Sequence, residues 1–189
     1  QPLGDLLADL VLGPLGLRGT APEPGDRPEV AESRMGTGKE VAFAAALGLA
    51  LDDLGPPPVG HAQDGNARLL AALGARPPGH SGLFAPARDL WALGVEWLRP
   101  GRLLQEEAVA RALAGGGPFA LGWWRRRAGR GGGGRALSRR SFGATGFAGG
   151  NLWVDPERDR VLVLLGHRID PASDLNAWRR RFHALALDT

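Results

Sequence analysis

Residues 141–171 of the chain read SFGATGFAGGNLWVDPERDRVLVLLGHRIDP, and this stretch decides the fold. It contains two apolar runs of strand length, Leu152–Val154 and Val161–Leu165, which are separated by the turn-forming residues 155–159. This pattern predicts a β-hairpin. The second run is apolar at every position, which indicates a strand that is central in its sheet and covered on both faces. We therefore expect a sheet with helices on both sides.

Two segments of this stretch carry a family resemblance. Residues 142–147, Phe-Gly-Ala-Thr-Gly-Phe, are similar to the Phe-Gly-His-Thr-Gly-Phe strand of class C β-lactamases and related esterases, a branch of the serine β-lactamase and penicillin-binding-protein family. Residues 152–156, Leu-Trp-Val-Asp-Pro, resemble the Trp-Val-Asp-Pro hairpin of that branch. In the family, the Lys/His-Thr-Gly strand forms one wall of the active site. Ala144 stands here in place of its basic residue.

A second match lies earlier in the chain. Residues 79–90, Gly-His-Ser-Gly-Leu-Phe-Ala-Pro-Ala-Arg-Asp-Leu, resemble a family segment in which a loop leads into a capped helix. Residues 14–20 are similar to the segment after the family's Tyr-x-Asn motif, so we expect Gln1 to lie beyond that motif. The resemblance covers nearly the whole chain. It implies an α+β fold of the β-lactamase/transpeptidase type, with an antiparallel β-sheet, flanking helices and a helical region, and with the N-terminal part missing.

The predicted elements divide this domain after a glycine-rich break. We expect residues 1–118 to form its mainly helical region, and residues 119–189 to form the antiparallel strands and the C-terminal helix of the same domain. Periodicity predicts a strand at Phe119–Trp124 and helices at Leu3–Leu12, Lys39–Leu51 and Leu103–Leu113. In the C-terminal helix, the spacing predicts that the sheet is contacted by Ala177, Trp178, Phe182 and Leu185, with Arg179, Arg180 and Arg181 outside.

The resemblance implies an acyl-transfer chemistry that this chain does not complete. In the family, a Ser followed three residues later by Lys is the nucleophile, and a Tyr-x-Asn motif supplies the base. Lys39 is the only lysine, no Ser stands three residues before it, and the chain has no Tyr. The resemblance retains one wall of the family's active site. The backbone N–H of Phe147 matches one oxyanion-hole donor, and Ala144, Thr145 and Gly146 match substrate-binding positions.

Two other groups of polar residues are weaker candidates for chemistry. His80 and Ser81 do not fit a Gly-x-Ser-x-Gly nucleophile elbow, because Leu83 occupies the last position, so a loop is favoured. His61 and Asp64 are too few for a zinc site, which normally recruits three or four ligands. We therefore predict no metal site, and the resemblance implies no cofactor.

Basic residues are concentrated in one segment. Seven arginines lie between Trp124 and Ser141, interleaved with glycines and without an acid, although the formal net charge of the chain is only +3. We interpret this segment as a flexible, solvated loop, so nucleic acid is not favoured as a partner, while binding of an anionic polymer stays open. No apolar run reaches the roughly 18 residues of a transmembrane helix. The family suggests a periplasmic or extracellular location.

Three functions are consistent with these observations. The preferred one is the C-terminal part of a β-lactamase-like serine hydrolase, which acts on β-lactam, ester or peptide substrates through an acyl-enzyme. The second is a degenerate, non-catalytic member that binds peptide-like or cell-wall ligands, and the third is an anionic-polymer-binding module. For the preferred function, the partners are a small-molecule or peptide-like substrate and the N-terminal portion of the same domain. That portion, with the nucleophile and the Tyr motif, would lie upstream or in a partner chain.

Overall fold

The computed structural model describes residues 1–22, 24, 30–31, 45–48, 59–74, 77, 79–126, 132–166 and 174–188 of the chain. The chain divides into two compact units. The first comprises residues 1–86 with 169–171, and the second comprises residues 87–168 with 172–189. Apart from residues 45–48, the helix expected at Lys39–Leu51 lies outside the described residues.

The first unit begins with a continuous helical segment. Helix α1 (Leu3–Leu7) runs into a π-helical turn (Ala8–Leu12) and then into the short helix α2 (Gly13–Leu15). The sequence predicted an end at Gly13, but the segment continues to Gly16, whose φ of 70° is typical of a helix C-terminus. The wider π turn explains the difference, because it gives the proline ring at position 14 room against the preceding carbonyls. Helix α3 (Gly65–Ala72) follows later in this unit.

The second unit contains the sheet. Helices α4 (Ala87–Leu98) and α5 (Glu106–Ala112) precede it, and α6 (Leu175–Leu187) follows it. Its four antiparallel strands lie in the order β1-β2-β3-β4 and comprise Trp124–Arg125, Phe142–Thr145, Asn151–Asp155 and Arg160–Leu164. The predicted α+β architecture, an antiparallel sheet with flanking helices, is thus confirmed. Within the described ranges, no helix has the length and hydropathy needed to cross a bilayer.

Two strand predictions need correction. β3 and β4 form the predicted hairpin, but β4 pairs only with β3 among the described residues and is the last strand of this sheet, not a central one. The predicted cover on both faces is found, since α4 and α6 both contact β4, and this cover accounts for its apolar sequence. The strand expected at Phe119–Trp124 is reduced to β1, and Phe119 meets Trp124 only in an isolated bridge.

Each face of the sheet has its own apolar cluster. On the α4 side, the buried residues are Trp123, Phe142, Leu152 and Val154. Gly94 allows α4 to approach this face closely, because a Cβ atom there would lie only 2.5 Å from Cγ1 of Val161. On the α6 side, the buried residues are Leu137, Trp153 and Leu162. The sheet is therefore covered on both faces within the second unit.

Helix α6 presents a different face to the sheet from the one predicted. Arg179 and His183 are buried, whereas Trp178 and Leu185 are 61% and 64% exposed. Phe182 agrees with the prediction and packs against the α6-side cluster. The prediction that Arg179 lies outside is wrong, because backbone carbonyl groups below α6 provide acceptors for a buried guanidinium.

Candidate functional site

The residues predicted to line a substrate site lie together at the end of β2. Ala144 and Thr145 are its last two residues, and Gly146 and Phe147 follow in the turn to β3. β1 pairs only with the first two residues of β2, so Ala144 and Thr145 have no strand neighbour on that side among the described strands. This outer edge of β2 leaves backbone groups available to an extended ligand.

The turn after β2 fixes the direction of the predicted oxyanion donor. The Gly146 N–H donates to Gly150 O at 2.8 Å, and Gly146 O accepts from the Gly149 N–H at 3.3 Å. Both backbone groups of Gly146 therefore face the turn. Because a trans peptide holds its C=O and N–H in opposite directions, the Phe147 N–H points away from the turn, towards the outer edge of β2.

Ala144 and Thr145 belong to opposite faces of the sheet. Ala144 packs against the α4-side cluster, so a basic residue at this position would extend from the same face. Thr145 lies on the α6 side, where a Cβ atom at Gly132 would come within 2.6 Å of its methyl carbon and 3.0 Å of Arg179 Cδ. The absence of a side chain at Gly132 thus lets the Arg/Gly segment, residues 125–140, approach the end of β2.

The Arg/Gly segment is packed where the structure describes it. Residues 132–134 are buried, and a Cβ atom would lie 2.9 Å from the Trp153 ring at Gly133 and 2.8 Å from Arg180 Cγ at Gly134. The prediction of a flexible, solvated loop is therefore wrong for residues 132–134, because glycines allow the backbone to pack directly against side chains. Residues 127–131 lie outside the described part.

The arginines of this segment have different environments. Arg126 stabilises the packed turn by donating to the carbonyls of Gly134 at 3.1 Å and Arg135 at 3.0 Å. Arg139 and Arg140 are exposed and border a cavity of about 490 Å³ beside α4, α5 and the start of β2. None of the predicted site residues at positions 144–147 lines this cavity.

A buried histidine connects α6 to the strand beside the site. His183 Nδ1 lies 3.0 Å from Gly133 O, and a carbonyl oxygen can only accept a hydrogen bond, so we assign the proton to Nδ1. The other ring nitrogen, Nε2, then accepts a hydrogen bond from Asn151 Nδ2 at 2.9 Å. Burial lowers the pKa of His183, and the charge of Arg179 lowers it further, against an opposing effect of the Gly133 bond. Asn151 pairs with Thr145, so this neutral histidine supports the end of β2.

A buried carboxylate anchors the segment that enters β2. Asp155 is fully buried and accepts hydrogen bonds from Ser138 and Arg158. Burial alone would raise the pKa of Asp155, but these bonds, with a contribution from Ser141, outweigh it and hold the pKa below its usual range. Ser138 and Ser141 also share a hydrogen bond at 3.1 Å, so both serines have a structural role.

In the first unit, His80 pairs with Asp64. Its Nε2 lies 3.1 Å from Asp64 Oδ1, which also accepts from the Ala67 N–H at 2.8 Å and thereby caps α3. Partial burial would raise the pKa of Asp64, but these two contacts hold it below its usual range. The described residues contain no group of three or more His, Cys, Asp or Glu side chains that could hold a metal ion.

The fold and the strand at residues 142–145 define the class of the protein: an α+β domain of the β-lactamase type, in which a strand of an antiparallel sheet leads into Thr-Gly and is covered by β1 only along its first two residues. The sequence profile of the family described as "Beta-lactamase" matches residues 1–186. The chain belongs to the β-lactamase family.

A solved structure supports this fold. The chain is similar to a β-lactamase from Mycobacterium bovis, with 20% sequence identity and a TM-score of 0.58. The match covers 98% of the present chain and 55% of the M. bovis protein, so the chain spans little more than half the length of that relative. At this identity, the similarity carries the fold and not the activity.

The sequence did not indicate Arg179 and His183 as site residues. Both lie on one face of α6, four positions apart, and both bond to backbone carbonyls near the end of β2. Their i,i+4 spacing is the one signal that could have placed them together. It does not show that the face is buried, because Trp178 and Leu185 offered a more apolar alternative.

Proposed function

We propose that residues 1–189 supply the C-terminal part of a β-lactamase-type serine hydrolase. They contribute the wall formed by Ala144, Thr145 and Gly146, and one oxyanion donor, the Phe147 N–H. The nucleophile and the base come from a segment outside these residues. The open outer edge of β2 is the observation that supports this most, because an extended acyl substrate can lie along it beside an N–H directed the same way.

The proposed reaction is acyl transfer to a serine of that segment. The serine oxygen attacks the carbonyl carbon of a β-lactam, ester or peptide bond, while the base takes the hydroxyl proton. The bond from carbon to the leaving nitrogen or oxygen then breaks, and the leaving atom receives that proton. Water hydrolyses the acyl-enzyme in a second step. The Phe147 N–H donates to the carbonyl oxygen as negative charge develops there.

Exposed apolar side chains in the second unit support a covering segment. Trp178 and Leu185 lie seven positions apart on the outer face of α6, and both are largely exposed. β4 has no second strand partner within the described residues. An apolar helix face and an unpaired strand edge are normally covered in a stable domain. We propose that the segment with the nucleophile covers both.

A non-catalytic, ligand-binding member of the family is the second candidate. Ala144 favours it, because the cation that the family places next to the developing oxyanion is missing. The outer edge of β2 would then bind a peptide-like or cell-wall ligand without acylation. Binding of an anionic polymer through the Arg/Gly segment stays a third prediction, and a steep decrease of affinity with salt would be its signature.

Intact-mass measurements separate these functions. The 189-residue chain and the polypeptide translated from the whole reading frame that contains it are each incubated with a labelled penicillin and with a fluorophosphonate. We expect no adduct on the 189-residue chain and one stoichiometric serine adduct on the longer polypeptide. Reversible penicillin binding without an adduct would select the non-catalytic candidate. An adduct on Ser81 of the shorter chain, abolished by Ser81→Ala, would contradict the proposed origin of the nucleophile.

A further inference from the structure

Arg179 is a buried cation next to the predicted oxyanion donor. Only 4% of the residue is exposed. Its Nη2 donates to Gly146 O at 2.8 Å and to Gly150 O at 3.1 Å, the two carbonyls that frame the turn after β2. Its Nη1 donates to Asn176 Oδ1 at 3.1 Å, which fixes the guanidinium plane from within α6. This planar, multiple donation is specific to arginine.

The contact with Gly146 O reaches the predicted donor through a single peptide group. The C=O of Gly146 and the N–H of Phe147 belong to one planar trans peptide, so fixing the carbonyl also fixes the direction of the N–H. The backbone alone gives this carbonyl one longer hydrogen bond, from the Gly149 N–H at 3.3 Å. Arg179 therefore provides the shorter and charge-assisted restraint on the orientation of this peptide.

The charge also affects the strength of the donor. A cation that is bonded to a carbonyl oxygen draws electron density from the amide nitrogen, which makes the N–H of the same peptide more positive. Cooperative polarisation of this kind strengthens a hydrogen bond by about 10–30%. Because Arg179 is buried, water and salt screen this effect much less than they would for a surface charge.

The surroundings of Arg179 keep this arrangement in place. The stem of the side chain lies against Gly132, where a Cβ atom would come within 3.0 Å of Arg179 Cδ. One turn further along α6, burial lowers the pKa of His183 and the charge of Arg179 lowers it further, so at neutral pH this residue adds no second positive charge to the buried region. The guanidinium is thus a fixed cation with a defined direction.

We infer that Arg179 is a positioning residue that orients and polarises the Gly146–Phe147 peptide. The Phe147 N–H is thereby directed at the carbonyl oxygen of an acyl substrate on the outer edge of β2. The identity of the substrate rests on the proposed function, but the orientation of the peptide does not. The two parts can therefore be tested separately.

NMR of the 189-residue chain, labelled with ¹⁵N and ¹³C, tests the orientation. Arg179→Lys keeps a charge but loses the fork, and Arg179→Met removes the charge from a stem of similar length. Arg180→Met is the matched control, because Arg180 is the next residue of α6 and pairs with Asp174 instead. In both Arg179 variants, we expect shifts of the Gly146 carbonyl carbon and the Phe147 amide nitrogen. Amide exchange of residues 149–150 should become at least about tenfold faster in Arg179→Met, as for the loss of one charge-assisted hydrogen bond.

The inference is overturned if these two resonances keep their wild-type positions, or if the changes spread evenly over α6 and the sheet. If Arg179→Met does not fold, the resonances of Gly146 and Phe147 in Arg179→Lys decide whether Arg179 orients this peptide. Changes confined to residues 146–150, and absent from Arg180→Met, support the inference.

Kinetics of the longer polypeptide test the catalytic part. Removing an oxyanion donor lowers kcat by a factor of about 10²–10³. In Arg179→Lys the donor is still present but misdirected and less polarised, so we expect kcat to fall less, by about tenfold, with KM unchanged. An unchanged kcat would overturn the role in catalysis. If the wild type forms no acyl-enzyme while the NMR changes are present, the proposed function fails and the orientation of the peptide by Arg179 is retained.

Discussion

Replacing Asp155 with Asn tests how the second unit holds the segment that leads into β2. Oδ2 of this buried carboxylate accepts from the Ser138 N–H at 2.9 Å and from Arg158 Nη1 at 3.2 Å. Oδ1 accepts from Ser138 Oγ at 2.5 Å and from the Arg158 N–H at 3.3 Å. An Asn side chain keeps one acceptor oxygen and places an NH₂ group against the other pair of donors.

The expected cost follows from the two hydrogen bonds that are lost. Bonds to a charged group contribute about 1.5–3 kcal/mol each, so the free energy of unfolding should fall by about 3 kcal/mol or more. For a unit of about 100 residues, this lowers Tm by more than about 10 °C.

Urea unfolding followed by tryptophan fluorescence measures this change. All six tryptophans of the chain lie in the second unit, so the signal reports its unfolding. The pKa of Asp155 is lowered in the folded state, and its contribution is therefore present above the ordinary carboxylate pKa of about 3.9 and lost as the pH falls towards the folded value. The difference between wild type and Asp155→Asn should be constant near neutral pH and shrink in acid.

Asp159→Asn is the matched control in the same turn. Its side chain is 53% exposed and pairs with Arg99 at the surface, where such pairs contribute about 0–1 kcal/mol. Asn also tolerates the φ of 55° at this position. Equal urea midpoints for Asp155→Asn and Asp159→Asn would refute the argument. So would a difference from wild type that persists unchanged in acid.

Three further outcomes are expected. In the longer polypeptide, Ala144→Lys should raise kcat/KM for acylation by up to about 100-fold, because a cation beside the oxyanion is worth about 3 kcal/mol. A decrease of kcat/KM in Ala144→Lys, with an unchanged value in Ala144→Met, would show that the small residue suits the natural substrate. Gly143→Ala should destabilise the second unit by more than about 2 kcal/mol in the same urea assay, because the new Cβ would lie 2.3 Å from Leu152 O. Gly150→Ala should leave the stability unchanged, because a Cβ there would have no atom within 4 Å. The 189-residue chain should associate through its uncovered apolar face, and Trp178→Ser should weaken this in analytical ultracentrifugation; a monomeric wild-type chain with a concentration-independent Tm would contradict it.

The elements that the sequence predicted well are those set by neighbours in the chain. The β3–β4 hairpin follows from two apolar runs and the turn residues between them, all within about fifteen positions. The end of β2 was located by a motif of six residues. The position of β4 at the end of the described sheet could not be predicted in this way, because an apolar strand covered by two helices has the same composition whether it is central or not.

Arg179 shows why the other half of the candidate site could not be predicted. A helical projection sorts side chains by polarity, and on that criterion an arginine next to Trp178 belongs outside. The observed orientation is decided by acceptors that lie far away in the chain, since Gly146 and Gly150 precede Arg179 by 33 and 29 positions. A turn that brings two carbonyls below a helix can stabilise a buried guanidinium, and the exposure of Trp178 follows because the two residues are adjacent on α6. The contact between α6 and the turn after β2 is therefore set by tertiary structure, and the motif at residues 142–147 does not contain it.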